Sequence, residues 1–298
     1  MMTRTAFSSM TEKPVLKIRG DETHIFDDRL AIEEPLEIRL DYPNNTASID
    51  LGAKAREQKS VSITMRTPGN DNELALGFLF TEGLLEHADQ VSSVAHCGPA
   101  LSYLGHSNVM KVVLEGSGFS ESQLKSLERN FYTTSSCGVC GKSSIDALKT
   151  QNKFTASLNR QSGPTVSKKV LIALPDTLRK AQAVFESTGG LHASGLFSAE
   201  GELLSLREDV GRHNALDKVI GDAFLRRQLP LENVVLMLSG RISFELVQKA
   251  SMAGIRFIAA VGAPSSLAVE LAKETDMTLV GFLRGDNFNV YSGDWRLK

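Results

Sequence analysis

The sequence holds little cysteine, only Cys97, Cys137 and Cys140 in 298 residues. An odd count this low excludes the disulfide framework of a small secreted domain and fits a reducing compartment, so a cytoplasmic location is expected. No charge sign dominates either: 33 Lys and Arg face 35 Asp and Glu, closely interspersed, for a net charge of −2. Non-specific binding to nucleic acid needs a cationic surface, so no nucleic-acid partner is expected. An anionic ligand then has to be held by a few local groups. Long apolar runs are missing as well. None approaches the roughly 18 residues of a membrane span. The opening MMTRTAFSSMTEKP has no apolar stretch of about 7–15 residues of the signal-peptide kind. No membrane partner is expected.

What is present is ample apolar material, 42% of the chain, enough for one large domain or two ordinary ones of roughly 150 residues. Residues 1–14 read as a flexible tail. Ile25 to Tyr42 reads as two extended pieces around Glu33-Glu34-Pro35, and Val61 to Met65 as a strand. A helix is expected from about Asp71, with Leu74, Leu76, Phe78, Leu79, Leu84 and Leu85 as core and Gly83 as its end. Val109 to Leu114 is a strand candidate. Ser120 and Gln123 form a capping box opening another helix. The loop after it carries Cys137-Gly138-Val139-Cys140, and a further helix is expected near Ser143 or Ser144. The polar stretch from Lys149 to Lys169 reads as a surface excursion.

The second half is clearer. Leu191 to Phe197 and Glu202 to Leu206 resemble a hairpin, and a helix follows Asp209. Two strand–turn–helix units come next. Val234 to Leu238 leads through Ser239-Gly240-Arg241 to a helix from about Ser243. Phe257 to Val261 leads through Gly262-Ala263-Pro264-Ser265-Ser266 to one from about Leu267. Thr278 to Leu283 is a last apolar strand. This alternation predicts an α/β fold, a mixed sheet flanked by helices, over residues 119–298, behind a smaller β-rich part at residues 15–118.

A C-x-x-C motif supports sulfur or thiol transfer through a thiolate whose pKa this spacing depresses from about 8.5 toward 3.5–7.5. It also supports a zinc site, or two inert buried side chains. Zinc of the structural kind wants a second Cys or His pair, and Cys97 is the one cysteine left. His24, His87, His96, His106, His192 and His213 show no H-x-x-x-H-like spacing. The adjacent pair His96-Cys97 cannot easily turn both side chains to one ion from a strand. Serines before the cysteines and glycines around them suit a loop that visits two partners.

Tyr132-Thr133-Thr134-Ser135-Ser136-Cys137-Gly138-Val139-Cys140-Gly141 resembles the signature loop of the formate dehydrogenase accessory sulfurtransferases, the FdhD family. The resemblance runs on through Glu33-Glu34-Pro35-Leu36, Met65-Arg66-Thr67-Pro68-Gly69 and Glu73 to Leu79. It includes Thr188-Gly189-Gly190-Leu191-His192-Ala193, Arg207 to Ala215, Ser239-Gly240-Arg241, Gly262 to Ser266 and Gly281 to Asp286. It implies a cytidine-deaminase-like core and a homodimer. It implies that Cys137 carries a persulfide taken from a cysteine desulfurase, with Cys140 beside it. The sulfur then goes to a molybdenum bis(molybdopterin guanine dinucleotide) cofactor, the bound acceptor, before insertion into the catalytic subunit of formate dehydrogenase. The resemblance assigns cofactor binding, including its guanine nucleotide moiety, to Phe282, Leu283, Arg284, Gly285, Asp286 and Asn287, where relatives often have Arg at the last position. No permanently bound metal is expected.

The residues of the second half are consistent with a bound dinucleotide. Helix N-termini offer unpaired N–H groups and the positive end of a dipole. Ser239, Arg241 and Ser265 sit between strands and helices, and Arg241 has the fork geometry for phosphate. Arg212 and His213 lie in a first helical turn, where cations oppose the dipole unless an anion or Asp209 compensates. His192 completes the candidate set. Serines at helix starts are equally ordinary caps, and a strand histidine is equally a core residue. A deaminase would need H-x-E ahead of P-C-x-x-C. Here His192-Ala193-Ser194 lacks the Glu and follows the cysteines, and Ser136 replaces the Pro. A chaperone that binds the cofactor without transferring sulfur is the other reading open at this point.

Overall fold

The computed structural model describes residues 9–43, 56–100, 105, 107–115 and 162–298. Cys137 and Cys140, the helices expected from Ser120 and near Ser143, and the expected boundary at 118/119 lie outside the described residues. The first half provides β1 (Met10–Arg19), β2 (Glu22–Ala31), β3 (Glu34–Pro43), β4 (Arg56–Arg66), α1 (Asp71–Thr81), β5 (Val91–His96) and β6 (Val109–Leu114). The second provides α2 (Lys168–Ala181), α3 (Ala183–Thr188), β7 (His192–Phe197), β8 (Leu203–Asp209) and α4 (Arg212–Leu225). It continues with β9 (Val235–Leu238), α5 (Phe244–Met252), β10 (Phe257–Ala260), α6 (Ser266–Glu274), β11 (Thr278–Arg284) and β12 (Asn287–Ser292).

The fold is mixed α/β, as the alternation of strands and helices predicts. A six-stranded sheet in the order β12-β11-β10-β9-β7-β8 has β9, β10 and β11 parallel, with antiparallel pairings toward both edges. Side chains alternate faces along a strand. Val235 and Met237 accordingly join Leu171, Leu174 and Leu178 of α2 in one core, while Leu236 and Leu238 join α4 and α5 in the other. With both faces covered, every residue of β9 and β10 is buried, hence their unbroken apolar runs. A four-stranded sheet, β4-β3-β6-β5, turns Leu36, Ile38, Leu40, Met110 and Val112 toward α1 and the same large core.

The core closes where α1 meets α4. A Cβ on Gly77 would stand 1.9 Å from the carbonyl oxygen of Asp217, and one on Gly221 1.8 Å from that of Glu73. Only glycine lets these two backbones approach so closely. As expected, Gly83 follows the end of α1. The amides of Gly83 and Leu84 bond the carbonyls of Phe80 and Leu79, a Schellman stop that buries Leu84 and Leu85.

Four elements depart from the sequence expectation. Met10 to Pro14, read as tail, belong to β1 and pair with Asp27 to Ala31. The end of the stretch read as a polar excursion is ordered: Val166 is fully buried and bonded to the C-terminal segment through Arg296 and Lys298, and α2 starts at Lys168 under a Ser167 cap. β5 and β12 are edge strands on which no residue is fully buried, so neither carries a sustained apolar run. Among the described residues no helix is long and apolar enough to cross a membrane.

Candidate functional site

The three parallel strands end along one rim of the large sheet, and their following turns are stitched together beyond the strands. The amide of Ser239 donates to the carbonyl of Ala193 (3.0 Å), and the Ser239 hydroxyl oxygen accepts from the amide of Ala193 (2.8 Å). The amide of Gly262 donates to the carbonyl of Gly240, and that of Phe282 to the carbonyl of Gly262, both at 3.1 Å. A Cβ on Gly262 would lie 2.6 Å from the Gly240 carbonyl oxygen, so the turns after β9 and β10 touch backbone to backbone. The crevice beyond the carboxyl ends of such strands is where open α/β sheets hold ligands.

His192 opens β7 on this rim, and α4 points its N-terminus at it. The N-cap, Gly211, has no side chain to satisfy the first amides of this 14-residue helix. Asp209 forms its ion pair with Lys218 and not with Arg212 or His213. It is fully buried, and its oxygens accept from the amides of Thr67 and Gly211 and from Asn214 Nδ2. Arg212 keeps a buried Nε without a hydrogen-bond partner among the described residues. A buried donor left open at an uncapped helix start fits an oxyanion such as a phosphate.

The electrostatics tie four of the expected residues into one group. Burial first, then the positive charges of Arg212 and Arg241, push the pKa of His192 down against the pull of Asp209. Burial, Arg212, Lys249 and His192 push that of His213 down to about 4. His213 is therefore neutral at physiological pH. Its Nε2 lies 3.0 Å from Ser243 Oγ and 3.1 Å from a Glu245 carboxylate oxygen, which can only accept, so that nitrogen carries the proton. Arg241 is exposed at the mouth.

Other expected residues are placed differently. Ser265 Oγ accepts from the amide of Ala268 at 3.3 Å and serves as an ordinary cap of α6. The Leu283 side chain is fully buried in the core beneath α2, so at this position of the expected cofactor-binding segment it is the backbone that faces the rim's turns. Arg284 and Asn287 pair across the β11–β12 hairpin, Gly285 and Asp286 form its tip, and all four are exposed. Phe282 is 45% exposed and holds a left-handed backbone (φ 55°), next to the stitched turns. His96, weighed as a zinc partner, instead lies 3.3 Å from an Asp71 carboxylate oxygen. The described residues hold no cluster of three or more His, Cys, Asp or Glu side chains placed for a metal.

The sequence reading missed Arg179, Gln182 and Phe185, which line a cavity beside His192 and Ser239. The signal available was the neighbouring Thr188-Gly189-Gly190-Leu191. The α2–α3 junction itself leaves no pattern in the sequence.

The model of the FdhD/NarQ family matches residues 47–298. The chain is similar to proteins named "Sulfur carrier protein FdhD". The one from Streptomyces avermitilis is 48% identical over 287 residues, 96% of this chain and 94% of its own. The one from Mycolicibacterium paratuberculosis is 50% identical over 264 residues, 88% and 89%. The one from Sulfurisphaera tokodaii is 42% identical over 279 residues, 93% and 95%. Among solved structures, one from Desulfotalea psychrophila, provisionally named a formate dehydrogenase accessory protein, superposes with a TM-score of 0.68. It is 22% identical and covers 98% of this chain and 100% of its own, a likeness of fold.

Proposed function

The chain belongs to the FdhD/NarQ family, and from that premise we propose that it is a sulfur carrier that serves formate dehydrogenase. Cys137 receives sulfur from a cysteine desulfurase. Its thiolate attacks the terminal sulfur of the donor's persulfide, the donor leaves as a thiolate, and Cys137 is left as a persulfide. The second substrate is the molybdenum bis(molybdopterin guanine dinucleotide) cofactor, to which that sulfur passes before the catalytic subunit of formate dehydrogenase takes it up. Cys140 releases that sulfur: its thiolate attacks Cys137 Sγ, the outer sulfur leaves as sulfide for the cofactor, and the resulting Cys137–Cys140 disulfide is reopened by a thiol reductant. Two copies of the chain form the working unit.

The observation that carries the reading is Arg212, whose buried, unpartnered Nε stands at the uncapped start of α4. Together with Arg241 and the neutral His192 and His213, it offers donors for a dinucleotide's phosphates on a chain of net charge −2. The test is activation of formate dehydrogenase in a reconstituted system. Cys137→Ala is expected to lose activation at least a hundredfold while GDP binding stays within a factor of two. Activation that persists assigns the protein a protective, non-transferring role and overturns the reading.

A further inference from the structure

Beside His192 lies a cavity of about 340 Å³, lined by Arg179, Gln182, Phe185, Gly189, Gly190, Leu191, His192 and Ser239. Its size falls in the range that holds a small ligand or one ring system of a larger one. Gln182 sits between α2 and α3, is 3% exposed, and its Nε2 has no hydrogen-bond partner among the described residues. A buried amide N–H₂ without an acceptor costs roughly 1–3 kcal/mol, so its presence here asks for an acceptor from outside the protein. The Ser239 oxygen already accepts from Ala193, which leaves its hydroxyl proton to donate. The Arg179 guanidinium carbon stands over the Phe185 ring, 4.0 Å from its centroid, and adds a cationic, planar group to the lining. Leu191 and Phe185 supply apolar surface.

This combination is wrong for a phosphate, which wants converging cations. It is right for a flat heterocycle that stacks on the Arg179–Phe185 pair and presents a carbonyl edge to Gln182. His192 and Ser239 belong both to this cavity and to the rim, so one ligand reaches from one to the other. We propose that the cavity receives the 2-amino-4-oxopyrimidine ring, shared by guanine and pterin, of the nucleotide acceptor, with Gln182 Nε2 donating to the ring carbonyl. The inference rests on the functional reading above and adds to it a specificity-determining residue. Adenine places an amino group where this ring has the carbonyl, so Gln182 selects against adenine nucleotides.

The experiment is calorimetric titration of the full-length protein with GDP, ADP, 6-hydroxymethylpterin and inorganic pyrophosphate. Wild type is expected to bind GDP at least tenfold tighter than ADP. Gln182→Leu is expected to weaken GDP about tenfold, to bring the GDP/ADP ratio close to one, to leave pyrophosphate binding unchanged, and to give a ligand-free thermal midpoint no lower than that of wild type. Gln182→Glu keeps the volume but, once ionised, opposes an acceptor to the carbonyl, and is expected to weaken GDP increasingly as the pH rises, with a loss of folding stability from the buried charge. Whichever of GDP and the pterin loses affinity in Gln182→Leu is the end of the acceptor that the cavity holds. A GDP/ADP ratio unchanged in both variants overturns the cavity assignment and leaves the sulfur-carrier reading standing. That reading fails separately, if Cys137→Ala still activates formate dehydrogenase.

Discussion

Lys218 reaches back from α4 to the end of β8, where its Nζ stands 2.7 Å from Asp209 Oδ2, both side chains 2% exposed or less. The same Nζ donates to the Thr67 carbonyl at 2.9 Å, so β4, β8 and α4 are pinned at the point from which Arg212 enters the rim. Removing one partner of a buried pair leaves an uncompensated charge, at a cost of about 3–5 kcal/mol. Lys218→Met is therefore expected to lose that much stability in urea unfolding. The double variant Lys218→Met/Asp209→Asn is expected to regain part of it, because no buried charge remains. A single variant within about 1 kcal/mol of wild type contradicts the assignment.

Arg212 offers its open donor to the ligand, not to the fold. Arg212→Gln is expected to weaken GDP by roughly tenfold to a hundredfold, the size of one lost charge-assisted contact, with little change in unfolding midpoint. Titration at two salt concentrations checks the electrostatic part: wild type weakens with salt more steeply than the variant. Equal affinities would remove the phosphate from this corner of the rim.

His213 provides a pH test. Its pKa is pushed down to about 4 in the folded protein by burial first, then by Arg212, Lys249 and His192, against an ordinary value near 6.5 in the unfolded chain. Between those values the unfolded chain binds the proton and the folded one does not. Stability from this group is thus fully present above about pH 6.5 and is lost as the pH falls toward about 4. The NMR signal of the His213 ring is expected to titrate near pH 4, and wild type to lose more stability between pH 7 and pH 5 than His213→Gln does. A titration midpoint near 6.5 contradicts it.

Much of this arrangement is legible in the residues. β9, β10 and β11 announce themselves as short apolar runs because both their faces are covered, and the helix starts expected near Ser243 and Leu267 fall within one residue of those of α5 and α6. β1 escapes notice because Leu16 and Ile18 are exposed, so its apolar residues follow no buried face, whereas the extended piece expected from Ile25 falls in β2. α2 is hidden by Pro175 within it and by the polar residues before Ser167. Near the rim, His192 lies within electrostatic reach of Arg212, Arg241 and His213. Leu283 does not join them, since β11 alternates faces and its side chain turns into the core. Gln182 was unreadable: its significance lies in a missing partner, which only three-dimensional packing reveals.

The account stands on Cys137 as the sulfur-bearing atom. Intact-mass measurement after incubation of the protein with a cysteine desulfurase and cysteine tests this most directly. A gain of one sulfur atom, removed by reductant, absent from Cys137→Ala and retained by Cys97→Ala, is the predicted result. No added sulfur on the wild-type protein, or the same gain on Cys137→Ala, would contradict it.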